Sequence, residues 1–293
     1  MNAVDLPLVV GVDGSEPSLR AVDWASDEAE LRGVPLQVVY ACLWERYEGA
    51  ALARDLGKPS AQPLPQEITG AAVRRAHARH PDLKVTADAV FEEPEYALVR
   101  ESRNASALVV GSRGRSGLAE ALLGSVSLTV TAHAHCPVVV LRGSHDNQVT
   151  PPVHGRVVVA VGENAEDSAA VRFAYEEARR RGVPLEAVRA WRCPSHETTD
   201  HPLLADTPAR LHERHAEETL TEALRDAPPD VELHRRTVEG HARRVLVDAS
   251  YDADLLIVGA KRRTGHLGLQ LGRVAHGALH HSACPVAVVP QPA

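Results

Sequence analysis

Residues 107–125 read ALVVGSRGRSGLAEALLGS, and this segment carries the strongest indication of the fold class. It opens on a short apolar run, continues as a basic segment with glycines at 111, 114, 117 and 124, and ends at Ser125. The apolar run predicts a buried strand, and the VSLTVTAHAH that follows predicts a helix beginning near Gly124. A glycine-rich loop leading from a strand into a helix is typical of a doubly wound α/β sheet.

The chemistry of this loop favours an anion. Glycines let the backbone bend and let a phosphate approach its N–H groups, and a helix start adds free N–H groups and a positive dipole end. Ser125 offers a hydroxyl, and Arg113 and Arg115 add charge. A polyphosphate is the preferred ligand, although the alternative that the glycines only form turns stays open. The loop matches neither GxxxxGK[ST] nor GxGxxG, which disfavours a Walker-type loop and a classical dinucleotide fold.

The sequence contains the same pattern twice. LVVGSRGRSG is followed later by LIVGAKRRTG, and VPLQVVYA by VPLEAVRA. Gly111 and Gly259, Gly124 and Gly272, and the two Cys-Pro pairs are all separated by about 148 residues. We therefore predict two copies of one domain, at residues 1–143 and 156–293, joined by a polar, Pro/Gly-rich linker at 144–155.

Each copy alternates apolar runs with helical patterns. In the first copy the runs are LPLVVGV, PLQVVYA, LKVTADAV, SALVVG and PVVVL, and residues 17–33 have helical spacing with a glycine stop at Gly33. This rhythm predicts an open five-stranded parallel sheet with helices on both faces. Ligands bind such sheets beyond the carboxyl ends of the strands, where Asp13 and Gly111 are expected.

Composition excludes several classes of function. The 293 residues carry a net charge of −7, which argues against general DNA or RNA binding. No apolar run has membrane-spanning length, and the first residues lack a signal-peptide pattern. The four cysteines are far apart and form no CxxC, which favours reduced thiols and a cytoplasmic location.

The spacing G111-xx-G114, nine residues, then G124-S125 resembles the G-2x-G-9x-G-[S/T] nucleotide motif of the universal stress protein family. VVGVDGS at 9–15 and HCPVVVL at 135–141 resemble that family's first and last strands. The resemblance covers nearly the whole chain as a tandem pair. It implies flavodoxin-like (adenine nucleotide alpha hydrolase-like) domains that bind ATP, with Mg²⁺ as the usual companion of a polyphosphate. It also implies dimers joined through the last strands. Because exposed edge strands invite pairing, we expect the last strands of the two copies to pair within the chain, and whether two chains form a homodimer stays open.

The resemblance also assigns roles to residues. Asp13 matches an acidic residue near adenosine and phosphate, although a helix N-cap is the alternative for it. Ala41 matches a position whose backbone contacts adenine. The full set expected to contact ATP is Gly11, Val12, Asp13, Ala41, Gly111, Gly114, Arg115, Gly124, Ser125, Val126 and Ser127.

The second copy departs from this pattern. Gly162 replaces Asp13, Arg262 replaces Gly114 and Arg273 replaces Ser125. Two interpretations stay open: the second site has degenerated, or it holds phosphate through arginines in place of backbone amides. We expect the two sites to be unequal, with the first copy carrying the better one.

The implied function is a stress-response module that regulates or signals through nucleotide occupancy, with ATP ordering the loop from Gly111 to Ser125. Two alternatives stay open: a slow ATP hydrolase or phosphotransferase, and a structural or protein-interaction module with vestigial sites. No catalytic residue is assigned, because no GxSxG elbow occurs. His276 and His280 have a spacing that can bind zinc, but the first copy does not repeat it, and no metal site is assigned.

Overall fold

The computed structural model describes residues 6–43, 64–113, 123–143, 153–163, 168–193, 207–262 and 269–291. The chain folds into two compact units that divide near residue 151. Each is an α/β unit built on a parallel sheet. The domain boundaries at 143 and 156 stay predictions, since residues 144–152 lie outside the described ranges.

The first unit contains five strands and four α-helices among its described residues. The strands are β1 (Leu8–Val12), β2 (Leu36–Ala41), β3 (Val85–Val90), β4 (Ala107–Val110) and β5 (Val138–Val140). The helices are α1 (Glu16–Arg32), α2 (Pro65–Arg79), α3 (Pro94–Glu101) and α4 (Ser125–His133), with a 3-10 turn at Ser102–Asn104. Each apolar run of the first copy forms the strand predicted for it.

The second unit repeats this order. Its strands are β6 (Val157–Ala160), β7 (Leu185–Trp191), β8 (Leu233–Glu239), β9 (Leu255–Arg262), the two-residue β10 (Leu269–Gln270) and β11 (Val286–Gln291). Its helices are α5 (Ala169–Arg181), α6 (Thr207–Ala223), α7 (Ala242–Ala249) and α8 (Arg273–His281), with a 3-10 turn at Ser250–Asp252.

The strand order positions the functional edge of each sheet. The order is β3-β2-β1-β4-β5 in the first unit and β8-β7-β6-β9-β11 in the second, with parallel pairing between neighbours. The predicted five-stranded parallel sheets are confirmed. The order 3-2-1-4-5 differs from the 2-1-3-4-5 order of flavodoxin itself, and the strand order reverses between β1 and β4. A crevice is therefore expected at the carboxyl ends of these two strands.

The Val-rich runs are strands because both faces of the sheet are covered. All residues of β1 and β4 are buried. Successive side chains of a strand point to opposite faces, so complete burial requires helices on both sides. In the first unit α1 packs against α2, and α3 packs against α4.

The ends of α1 follow from its sequence. Ser15 is the N-cap, and its side chain accepts a hydrogen bond from the backbone N–H of Ser18. Gly33 ends the helix with φ 66°, a left-handed conformation that glycine adopts without steric cost, and this confirms the predicted stop. Gly182 ends α5 in the same way, with φ 64°.

The cysteines are free thiols. Burial raises the pKa of Cys136 and Cys284 to about 12, so both are protonated at neutral pH and unsuited to nucleophilic chemistry. Among the described residues, no helix has the length and apolarity needed to span a bilayer.

An ion network lies on the sheet of the second unit. Glu186 in β7 is 6% exposed and accepts hydrogen bonds from Arg156 at 2.8 Å and Arg236 at 3.0 Å. Burial acts to raise the pKa of Glu186, but the hydrogen bonds and charges of the two arginines outweigh it and hold the pKa below its ordinary value. The network therefore joins β7 to β8 and to the residue that precedes β6 through one carboxylate.

We expect Glu186→Gln to lower the free energy of unfolding by about 1–3 kcal/mol at pH 7, because it removes a buried charged acceptor. A carboxylate with a depressed folded pKa stabilises the fold above its unfolded pKa, and the stabilisation is lost as pH falls through the folded pKa. The difference from wild type should therefore shrink below about pH 4. Urea unfolding across pH measures it, with the exposed Glu213→Gln as control. If the free energies of unfolding of wild type and Glu186→Gln differ as much at low pH as at pH 7, the charge of Glu186 does not stabilise the fold.

Candidate functional site

A pocket of about 590 Å³ opens at the carboxyl ends of β1, β2 and β4 in the first unit. It lies where the strand order reverses and has the volume of an ordinary small-molecule site. The structure brings nine of the eleven predicted residues to its wall: Gly11, Val12, Asp13, Ala41, Gly111, Gly124, Ser125, Val126 and Ser127. Gly114 and Arg115 lie outside the described residues.

Asp13 is held in a turn at the end of β1. Its Oδ1 accepts hydrogen bonds from the backbone N–H of Ser15 at 2.9 Å and from the Ser15 hydroxyl at 2.6 Å. Gly14, between them, has φ 82°, which favours glycine. Ser15 caps α1, so the alternative that Asp13 is the N-cap is wrong. The turn fixes the carboxylate of Asp13 at the pocket wall.

Gly111 lies close against the start of α1 and also lines the pocket. A Cβ atom at this position would lie 3.0 Å from the carbonyl carbon and oxygen of Pro17 in α1. The Ser127 hydroxyl donates a hydrogen bond of 2.7 Å to the carbonyl oxygen of Gly111, and Ser127 is buried. The end of β4 is thus clamped between the start of α1 and the first turn of α4.

Gly124 has no such internal constraint. It is the N-cap of α4 with φ −65° and ψ 149°, and a Cβ atom there would make only ordinary contacts, the nearest at 3.5 Å. Its N–H donates a 2.8 Å hydrogen bond to the carbonyl oxygen of Ser112. This geometry directs the first turn of α4 to the pocket, where helix N–H groups lack intrahelical acceptors.

Sequence reasoning missed part of the wall. The pocket is also lined by Ser18, Val39, Tyr40, Cys42, Glu93, Pro94, Glu95, Leu98, Val110 and Arg113. Arg113 was noted as a source of charge, whereas Glu93 and Glu95 enter from the start of α3, which no motif marks. The described wall therefore carries three carboxylates, including that of Asp13, and one guanidinium.

At the equivalent positions the second unit keeps a glycine N-cap, Gly272 at the start of α8, but has no carboxylate in the place of Asp13. Gly162, in the place of Asp13, is exposed and has no side chain to turn into a pocket. Lys261 and Arg273 are exposed, while Arg263 and the side chain of Arg262 lie outside the description. Unequal sites therefore stay a prediction.

The histidines of α8 form a ring pair. The centroids of His276 and His280 are 4.4 Å apart. Within the described ranges, no group of three or more His, Cys, Asp or Glu side chains is arranged to hold a metal ion.

The chain is similar to known proteins in sequence and in fold. The model of the universal stress protein family matches residues 7–142 and 154–290. A universal stress protein of Mycobacterium tuberculosis is 34% identical over 304 residues, which cover 97% of both chains, and another from the same species is 31% identical over 303 residues, 97% of this chain and 96% of its own. The solved structure of a universal stress protein from Archaeoglobus fulgidus matches with a TM-score of 0.65 at 19% identity, covering 99% of both chains, and supports the fold.

The two glycines of the pocket provide a matched pair of variants. We expect Gly111→Ala to lower the free energy of unfolding by about 1–3 kcal/mol, because the new methyl group meets the backbone of Pro17. Gly124→Ala should cost at most about 1 kcal/mol, from a less favourable N-cap. Urea denaturation measures both. Equal losses would contradict the tight approach at Gly111.

Proposed function

We propose that this chain, which belongs to the universal stress protein family as a tandem of two of its domains, binds ATP in the pocket of its first unit. The observation that carries the proposal is the convergence of Asp13, Ala41 and Gly111 with the start of α4 on a single crevice. These groups come from four separate elements, and only the folded sheet brings them together.

The wall offers each part of a nucleotide a suitable partner. The first turn of α4 and the guanidinium of Arg113 suit a polyphosphate. Val39, Val110 and Leu98 provide an apolar surface for a base, beside the strand end at Ala41. The Asp13 carboxylate, fixed by Ser15, provides an acceptor for ribose hydroxyls or an oxygen ligand for Mg²⁺. The three carboxylates of the wall repel a negatively charged polyphosphate. Mg²⁺ bound with the nucleotide would supply positive charge that reduces this repulsion.

The pocket then acts through occupancy. A nucleotide that contacts α4, β1 and β4 together favours the state in which these elements keep their present arrangement. A partner that binds this state better than the empty one is thereby controlled by ATP, by an amount equal to the difference in its affinities. Stress-response regulation through this coupling is the function that we propose, with no catalytic residue assigned.

We expect the protein, purified without added nucleotide, to bind about one ATP per chain when it is titrated. The first unit should hold this ATP, because the second unit has Gly162 where the first has Asp13. Asp13→Asn should weaken ATP binding about tenfold or more, because it removes the charge while keeping an oxygen that accepts from Ser15. Asp82→Asn, an exposed change before the amino end of β3, is the matched control. Calorimetric titration measures stoichiometry and affinity.

Four results would contradict parts of this proposal. Absence of saturable ATP binding would favour a structural module, and equal affinity of wild type and Asp13→Asn would remove Asp13 from the site. Accumulation of ADP in the titrated sample, lost in Asp13→Asn, would favour a hydrolase. Hydrogen exchange supplies an independent readout: saturating ATP should slow exchange in Ser125–His133, and unchanged exchange would contradict regulation through α4.

A further inference from the structure

The second unit has a pocket of its own at the carboxyl ends of β6 and β7. Its volume is about 320 Å³, which is at the lower end for small-molecule sites. The charged and titratable side chains of its described wall are Glu163, Arg189, Arg192, His212, His215 and His241. The first unit's pocket has the opposite balance, with three carboxylates and one guanidinium.

Arg189 is the unusual residue of this wall. It occupies the position in VPLEAVRA that Tyr40 occupies in VPLQVVYA, so a cation replaces a phenol near the end of the strand. The residue is only 6% exposed, and its buried Nε atom has no hydrogen-bond partner. Among the described residues its one hydrogen bond is a long one, 3.4 Å from Nη1 to the carbonyl oxygen of Val161.

The burial of this guanidinium is not compensated within the described protein. Burial lowers the pKa of Arg189, and the nearby carboxylate of Glu163 offsets that effect only in part. Elsewhere in the same sheet, Arg156 and Arg236 both pair with the buried Glu186. A buried cation without an equivalent partner raises the free energy of the fold, so its charge is better explained by a ligand than by stability.

The neighbouring residues fit the same ligand. Arg192, exposed just after β7, contacts the His241 ring, with Nη1 2.9 Å from Nδ1 and 3.0 Å from Nε2, and the neutral ring can accept a hydrogen bond at one of these nitrogens. This contact brings a second guanidinium to the same wall. Trp191, in the place of Cys42, adds an aromatic surface suited to the organic part of a small molecule.

We propose that the second unit binds a phosphate group in this pocket, as inorganic phosphate or as the phosphate ester of a small metabolite, with Arg189 and Arg192 as its main ligands. Arginine suits this role because its planar fork donates two parallel hydrogen bonds to phosphate oxygens. The proposal concerns a different ligand and a different unit from the ATP site, and neither depends on the other. The two copies of the domain would then sense two different ligands.

The experiment titrates the full chain, purified in phosphate-free buffer and loaded with one equivalent of ATP per chain, with inorganic phosphate and separately with glycerol 3-phosphate in a calorimeter. We expect saturable binding at one site per chain. Tighter binding of glycerol 3-phosphate would support the site and identify a phosphate ester as its ligand class, whereas tighter binding of inorganic phosphate would support it with the free anion as ligand. No saturable binding of either probe would overturn the proposal.

Three variants locate the site. Arg189→Met should weaken binding of the preferred probe about tenfold or more, and Arg192→Gln should weaken it by a smaller factor because that side chain is exposed. Arg235→Met, an exposed change on β8 outside the pocket, should bind as wild type does. Binding unchanged in Arg189→Met would overturn the proposal, since a phosphate held anywhere else on the chain survives that change.

Thermal unfolding without phosphate separates a ligand role from a structural one. An arginine retained for a ligand should leave the unfolding midpoint of Arg189→Met equal to or above that of wild type, because an uncompensated buried charge has been removed. A lowered midpoint would assign Arg189 to the fold and overturn its role as ligand. Arg192→Gln tests the second ligand independently of folding, since its side chain is exposed, and unchanged binding in that variant also contradicts the proposal.

Discussion

The parallel pairing of β1 with β4 is the constraint on which the first unit depends. Backbone hydrogen bonds join the two buried strands from Leu8 opposite Ala107 to Val10 opposite Val109. Since both strands run in the same direction, both end at the same edge, and the loops that leave them must diverge there. Asp13 and Gly111 stand at these two ends. Their shared crevice is therefore a consequence of strand direction, and the side chains determine only what it can bind.

Tight local contacts keep this crevice open and shaped. The Asp13 carboxylate holds the turn into α1, the Gly111 backbone lies against Pro17, and Ser127 joins the first turn of α4 to the end of β4. Each contact serves the fold and the pocket at once. The two glycines therefore differ in their surroundings. Gly111 lies close against the backbone of Pro17, whereas Gly124 leaves space beside the N-terminus of α4.

The second unit has the same arrangement of strands and helices as the first, but different residues line its pocket. The strand order and the helix ends are repeated, including the left-handed glycines Gly33 and Gly182. The residues at the strand ends are not, since Tyr40 corresponds to Arg189 and Asp13 to Gly162. These positions lie at the carboxyl edge of the sheet, where side chains line a pocket, so they can differ while the apolar core of each sheet is kept. The two units therefore share a scaffold, while the described walls of their pockets differ in the sign of their charge.

The amino-acid sequence was sufficient to predict the fold and nine residues of the first pocket's wall. Unbroken Val-rich runs require burial on both faces, and the glycine stop at Gly33, the spacing of Gly111 and Gly124 and the internal repeat are all local signals. Only the tertiary structure decided which other residues meet them. Glu93 and Glu95 join the wall from α3, and Arg189 is buried at the end of β7, because the pairing of strands distant in sequence brings these positions together. Whether a charged side chain has a partner depends on distances between residues that are far apart in the sequence. The spacing of residues along the chain does not reveal these distances.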